Sequence, residues 1–190
     1  MPEGMGVSAL PGARAGGLAV VREPGLQGMV SLKLDLTAGW AAPGVMAATG
    51  HAVPGQRQIT RIGQGAVAWM APDELLFFCP HAQADVLVAA LSDALKDRHH
   101  LAVNMSDARV LFAIEGPGTR EVLAKRMPVD VHPDSFAPGQ MRRTRLAQVP
   151  AAVWMTGPQA ARVVCARSVA RYAFDTLALA AQQGGAVGVY

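Results

Sequence analysis

The chain has 190 residues, of which 51% are hydrophobic and only 16% charged, with a formal net charge of +3. That length buries a real core in one or two small domains. No stretch of about 18 residues is free of charged and turn residues, which excludes a membrane-spanning helix.

A mean hydropathy of +0.23 without such a span points to extensive burial against partner chains. Fourteen of the seventeen cations are arginine, the cation whose planar fork suits carboxylates at interfaces. Cys79 and Cys165 have neither metal-ligand spacing nor a disulfide framework and read as small buried hydrophobes. The N-terminus carries no basic region followed by an apolar one, so the expected location is the cytoplasm.

Residues 1–26 are rich in Gly, Pro and Ala and read as a flexible arm. "MVSLKLDL" then alternates, with Val30, Leu32, Leu34 and Leu36 on one face of a strand. A short helix over 40–49 stops at Gly50. Two β-rich runs flank Gly63-Gln64-Gly65 as a hairpin, and the turn Ala71-Pro72-Asp73 leads into the strand "ELLFFC". Residues 83–97 read as a helix with Leu87, Ala90, Leu91, Ala94 and Leu95 inward. A strand over 109–115 runs through Gly116-Pro117 into a helix that ends near Met127-Pro128. A linker spans 129–140, and strands follow at 141–147, 151–156 and 162–167. Ser168 is the expected N-cap of the last helix, with Val169, Tyr172, Ala173, Leu177 and Ala180 on its inner stripe.

The pentapeptides "AVAWM" (66–70) and "AAVWM" (151–155) mark a larger repetition. Thr60-Arg61-Ile62 answers Thr144-Arg145-Leu146, Trp69-Met70 answers Trp154-Met155, and Cys79 answers Cys165. Each half reads β-α-β-β-β-α, a tandem α+β repeat with segments 27–107 and 108–182 and a tail over 183–190. On this reading the tryptophans recur because core positions recur, not because they bind a ligand.

Chemistry is sparse. His51, His81, His99, His100 and His132 pair with no cysteine or carboxylate at ligand spacing. His99 and His100 fit the C-terminal end of a helix dipole, and Asp73-Glu74 fits a turn. Gly63 and Gly65 lack the strand-to-helix context of a phosphate loop. The exception is an acid-free stretch carrying Arg142, Arg143, Arg145, Arg162, Arg167 and Arg171. It reads as a solvated basic face or as a surface docking an acidic partner, with Arg142, Arg143, Arg145, Arg162 and Arg167 as candidate contacts. Nucleic acid is disfavoured, since the stretch lacks lysine and interleaved aromatics.

Several segments resemble the gamma subunits of heterotetrameric sarcosine oxidase: "GMVSLKLDL" (28–36), "WMAPDELLFF" (69–78), "VNMSDARVLFAIEGPGTREVLAKRMPVDV" (103–131), "FAPGQMRRTRLAQVPAAVWM" (136–155) and "CARSVARYAFDTL" (165–177). More distantly, "VLFAIEGPGTREVL" is similar to the folate-binding T-protein of the glycine cleavage system. The resemblance implies tandem ferredoxin-like α+β units. It also implies a complex that demethylates sarcosine to glycine, with hydrogen peroxide and methylene-tetrahydrofolate as further products. FAD, FMN, NAD and tetrahydrofolate would then sit on alpha and beta subunits and zinc on delta, with no cofactor on this chain. T-protein-type sites use a carboxylate in the hairpin that here reads Gly63-Gln64-Gly65-Ala66-Val67-Ala68, so no catalytic, cofactor-binding or metal residue carries over. A free-standing folate-binding protein is the alternative, and the same missing acid counts against it.

Overall fold

The computed structural model describes residues 6–188; the first five residues of the expected arm and the last two of the expected tail lie outside them. The chain parts into two compact units. The first comprises residues 27–106 with 139–141. The second comprises 6–26, 107–138 and 142–188. The sequence reads 1–26 as a flexible arm, and here the structure differs. These residues hold β1 (Arg14–Ala15) and β2 (Val20–Arg22), and Ala19 and Val21 are fully buried in the second unit's core. Within residues 6–26, the burial of Ala19 and Val21 is joined by main-chain bonds from Leu18 to the Ala181 carbonyl and from Gly118 to the Leu18 carbonyl, which hold the segment despite its Gly- and Pro-rich composition.

The first unit runs β3 (Gly28–Leu34), α1 (Ala41–Thr49), β4 (Ile59–Ile62), β5 (Gly65–Ala71), β6 (Glu74–Cys79), α2 (Ala84–Ala94) and β7 (His100–Asn104). Its antiparallel sheet is ordered β4-β5-β6-β3-β7. Val30, Leu32 and Leu34 pack with Val67, Leu75 and Phe77 against Val45 of α1 and Leu91 of α2. The alternation of "VSLKL" therefore sets the core face, as strand geometry requires. Gly50 closes α1 in the left-handed region, φ 68°. Gly28 has a different reason to be glycine: a Cβ there would lie 2.7 Å from the sulfur of Cys79 on the paired strand. The helix expected to reach 97 ends at Ala94, and residues 100–104, which show no clear pattern, form β7.

The second unit continues with β8 (Arg109–Glu115), α3 (Thr119–Ala124), β9 (Met141–Leu146), β10 (Val149–Gly157), β11 (Ala160–Ala166) and α4 (Ala170–Ala180). Its sheet is ordered β1-β2-β8-β11-β10-β9. Phe112, Ile114, Val153 and Val163 pack beneath Val122, Leu123, Ala173 and Leu177. The expected linker over 129–140 is anchored. Arg120, only 7% exposed, donates to the carbonyls of Val131 and Phe136, and both of those side chains are buried. The tail is also held, because Glu121 accepts from the amides of Val187 and Gly188. Ser168 is not an N-cap. It sits inside a 3-10 turn, Arg167–Val169, that leads into α4 without any side-chain cap. Tyr172, expected on the inner stripe, is 42% exposed.

The ladders show how the two units correspond. Cys79 pairs with Gly28, and Cys165 with Val110. Both β5 and β10 carry a bulge, at Trp69/Ala71 and at Met155/Gly157. Aligning the bulges and the cysteines puts Trp69 on Met155 and Ala68 on Trp154. The same spacing runs on through 3-10 turns His81–Gln83 and Arg167–Val169 and through α2 and α4. The units are thus repeats, but the two tryptophans are not equivalent. Trp69 packs on the helix-facing core, whereas Trp154 alternates with Val153 and Met155 of that core and so faces the other way.

Candidate functional site

The candidate arginines do not form one cluster. Arg143 and Arg145 lie on the same face of β9, the end strand of its sheet, and both are exposed; Arg145 donates to Oε1 of Gln148 at 2.9 Å. Arg142 points to the opposite face, its guanidinium 5.1 Å from the ring centre of Phe136, and donates to the Ser135 carbonyl. Arg162 and Arg167 are engaged within the second unit. Arg162 pairs with Glu115 at 3.0 Å. Arg167 donates to the Val7 carbonyl at 2.7 Å and lies 3.9 Å from Asp107. Arg171 pairs with Asp175 one helical turn on.

Glu115 is the centre of a cross-strand cluster. It stands opposite Val20 on β2 and Ala160 on β11. Arg22 and Arg162, each two residues further along those strands, therefore reach it diagonally, at 3.1 and 3.0 Å. Burial raises its carboxyl pKa, but the charges and hydrogen bonds of Arg162 and Arg22 outweigh that effect and hold it below the ordinary glutamate value. The sequence does not reveal this cluster, because Arg22 lies in the Gly- and Pro-rich segment that reads as an arm.

Two cavities open in the first unit. One, of about 570 Å³, is lined by Thr49 and His51 after α1, Gln64 and Gly65 of the β4–β5 hairpin, Cys79, and Gln83 and Leu87 toward α2. The residues along it are apolar or uncharged apart from the His51 imidazole. His51 Nδ1 is buried there with no hydrogen-bond partner among the described residues, and burial raises the Cys79 thiol pKa. The second, of about 780 Å³, is lined by Lys33, Asp35, Asp73, His99 and His100. Asp73 pairs with Lys33 at 3.7 Å. The side-chain hydrogen bond from Thr37, with further help from its amide, lowers the pKa of Asp35. His100 Nδ1 meets the Arg98 carbonyl. His99 and His100 lie beyond the end of α2, so the expected helix-dipole role does not apply to them. Glu74 starts β6, the strand expected at "ELLFFC", and is buried, accepting from the Ser31 hydroxyl at 3.2 Å. Among the described residues no group of three or more His, Cys, Asp or Glu side chains is placed to hold a metal ion, and no helix is long and apolar enough to cross a membrane.

Two repeated antiparallel α+β units are the fold of the T-protein class. The chain superposes on the aminomethyltransferase T of the glycine cleavage system from Bartonella henselae with a TM-score of 0.62, over 87% of this chain and 45% of that one, at 14% identity. At that identity the likeness shows the fold alone. Residues 35–183 match the model of the sarcosine oxidase, gamma subunit family, and the chain belongs to that family. It is 32% identical over 146 residues to the sarcosine oxidase subunit gamma of Arthrobacter sp., covering 75% of this chain and 70% of that protein. The subunit gamma of Corynebacterium sp. strain U-96 is 34% identical over 99 residues, about half of each chain. A chain of the heterotetrameric sarcosine oxidase from Corynebacterium sp. U-96, solved in complex with pyrrole 2-carboxylate, superposes with a TM-score of 0.82 at 26% identity, over 93% of this chain and 91% of that one.

Proposed function

We propose that this chain is a non-catalytic gamma subunit of a cytoplasmic heterotetrameric sarcosine oxidase, in which it supports assembly with alpha, beta and delta subunits. The complex oxidatively demethylates sarcosine to glycine, with hydrogen peroxide and methylene-tetrahydrofolate as further products. FAD, FMN, NAD, tetrahydrofolate and zinc belong to the other subunits. The observation that carries this reading is the superposition on nearly the whole of one chain of such an oxidase. The hairpin around Gly63 and the cavity beside it supply no carboxylate to hold or deprotonate a pterin, which favours assembly over catalysis.

Within that reading, Arg143 and Arg145, exposed on the end strand β9, meet an acidic surface of a partner. Arg162 and Arg167 serve the chain's own fold. Co-expression of the tagged chain with the other three subunits tests the reading. A yellow eluate containing four chains and releasing peroxide on addition of sarcosine supports it. A colourless lone protein that binds tetrahydrofolate overturns it.

A further inference from the structure

The two units finish their sheets differently. In the second unit β2 pairs with β8 and is itself covered by β1. In the first unit the matching place beside β3 is taken by β7. Glu115 and Lys33 occupy equivalent ladder positions, opposite Ala160 and Glu74, so Val20 and Val21 correspond to Leu101 and Ala102. In the second unit Val21 pairs with Ala15 of β1, and the next bond of that ladder runs from the Glu23 amide to the Ala13 carbonyl. Among the described residues no strand covers Ala102.

The orientation of the open edge follows from the ladder. The Met105 amide donates to the Met29 carbonyl, and bonded pairs alternate in an antiparallel ladder. Val103 and Leu101 therefore exchange bonds with Ser31 and Lys33. His100, Ala102 and Asn104 turn their amides and carbonyls away from β3. The strand carries no Lys, Pro or bulge, the usual protections of an exposed edge, and Leu101 is 56% exposed. The other edges are treated differently: residues 139–141 lie along β4, through the Ile59 amide to the Gly139 carbonyl and the Met141 amide to the Arg57 carbonyl; β9 carries arginines; β1 is two residues long.

We propose that β7 receives an extended segment of another subunit as an added antiparallel strand, bonded at Ala102 as β1 is bonded at Val21. The segment has main-chain amides free to donate and a small or apolar residue opposite Ala102, the counterpart of Ala15, with apolar surface beside Leu101. This rests on the proposed place of the chain in a heteromeric oxidase, whose different subunits supply the segment.

Residue-resolved hydrogen exchange on the assembled complex tests it. In an uncovered edge the Ala102 and Asn104 amides exchange about 100-fold or more faster than those of Leu101 and Val103, which bond to β3. The expected result is instead protection of all four within about 10-fold. A complex that assembles but shows the alternating pattern overturns this inference and leaves the subunit reading intact. Failure to form any complex removes both. Protection of Ala102 in the purified chain alone, rising with its concentration, assigns the edge to a second copy and overturns the inference too. Ala102→Pro removes the outward donor while sparing the bonds of Leu101 and Val103; co-purification of the partner should fall about 10-fold, and unchanged recovery counts against the added strand.

Discussion

The two units build one ladder from different side chains. In the first, Val30 on β3 faces Phe77 on β6; in the second, Phe112 on β8 faces Val163 on β11. All four are buried, none more than 1% exposed. The aromatic ring has changed strands while the pair has kept its volume, as a close-packed core demands. The edges differ in another way. The first unit takes the strand beside β3 from the chain following α2. The second takes it from β2, far upstream in sequence. Volume and hydrogen bonding are therefore what the repeat preserves, and neither residue identity nor chain order is needed for it.

The largest test of this comparison removes residues 1–22. The second unit then loses β1 and β2, the burial of Ala19 and Val21, and the bonds from Leu18 to the Ala181 carbonyl and from Gly118 to the Leu18 carbonyl. Burying a valine is worth about 2 kcal/mol and each lost bond roughly 1 kcal/mol, so the expected loss is about 5 kcal/mol or more. Hydrogen exchange should show β8, β10 and β11 losing protection while β5 and β6 keep theirs. Equal loss in both units would mean that the arm does not belong to one of them.

The second test exchanges the ring between strands. Phe77→Val leaves a cavity in the first unit and costs about 2–3 kcal/mol. Adding Val30→Phe restores the arrangement of Phe112 and Val163 and should recover about half or more of that loss. Denaturant midpoints of the two variants measure it; a double variant less stable than Phe77→Val would show that the surroundings of the two pairs are not interchangeable.

Much of this was legible in the sequence. The strand "MVSLKLDL", the Gly63 hairpin and α1 with its Gly50 stop all carry local signals that tertiary contacts reinforce. The duplication was legible as well, but its register was not. The two Trp-Met pairs match as letters one position away from where the bulges match as backbone, and one position is enough to turn a strand side chain to the other face. β2 and β7 are not legible locally, because each is short and depends on a partner strand remote in sequence. The arginine stretch reads as a unit in sequence, because nothing local reveals that Arg162 pairs with Glu115.

Glu115 supplies a smaller test. Its pKa is depressed in the fold below the ordinary 4.5, so its contribution is fully present above that value and is lost as the pH falls through the folded-state pKa. At 37% side-chain exposure solvent screens the cluster, and the effect is modest. Glu115→Gln should lower the melting temperature at neutral pH and converge with the parent in acid. A constant difference across that range would show that the two arginines stabilise the strands by packing alone.

The smallest effect on folding is expected where the effect on assembly is largest. Arg145 is exposed on β9 and its guanidinium donates to Gln148, so Arg145→Ala should shift stability by no more than about 0.5 kcal/mol. Arg162→Ala should destabilise more, because it withdraws a cation from Glu115 at 3.0 Å. The order reverses for assembly if β9 meets an acidic partner: Arg145→Ala then slows association and weakens its salt dependence, while Arg162→Ala, once folded, leaves both unchanged. Association rates measured across ionic strength separate the two arginines, one belonging to the chain's own ladder and the other to the surface it presents.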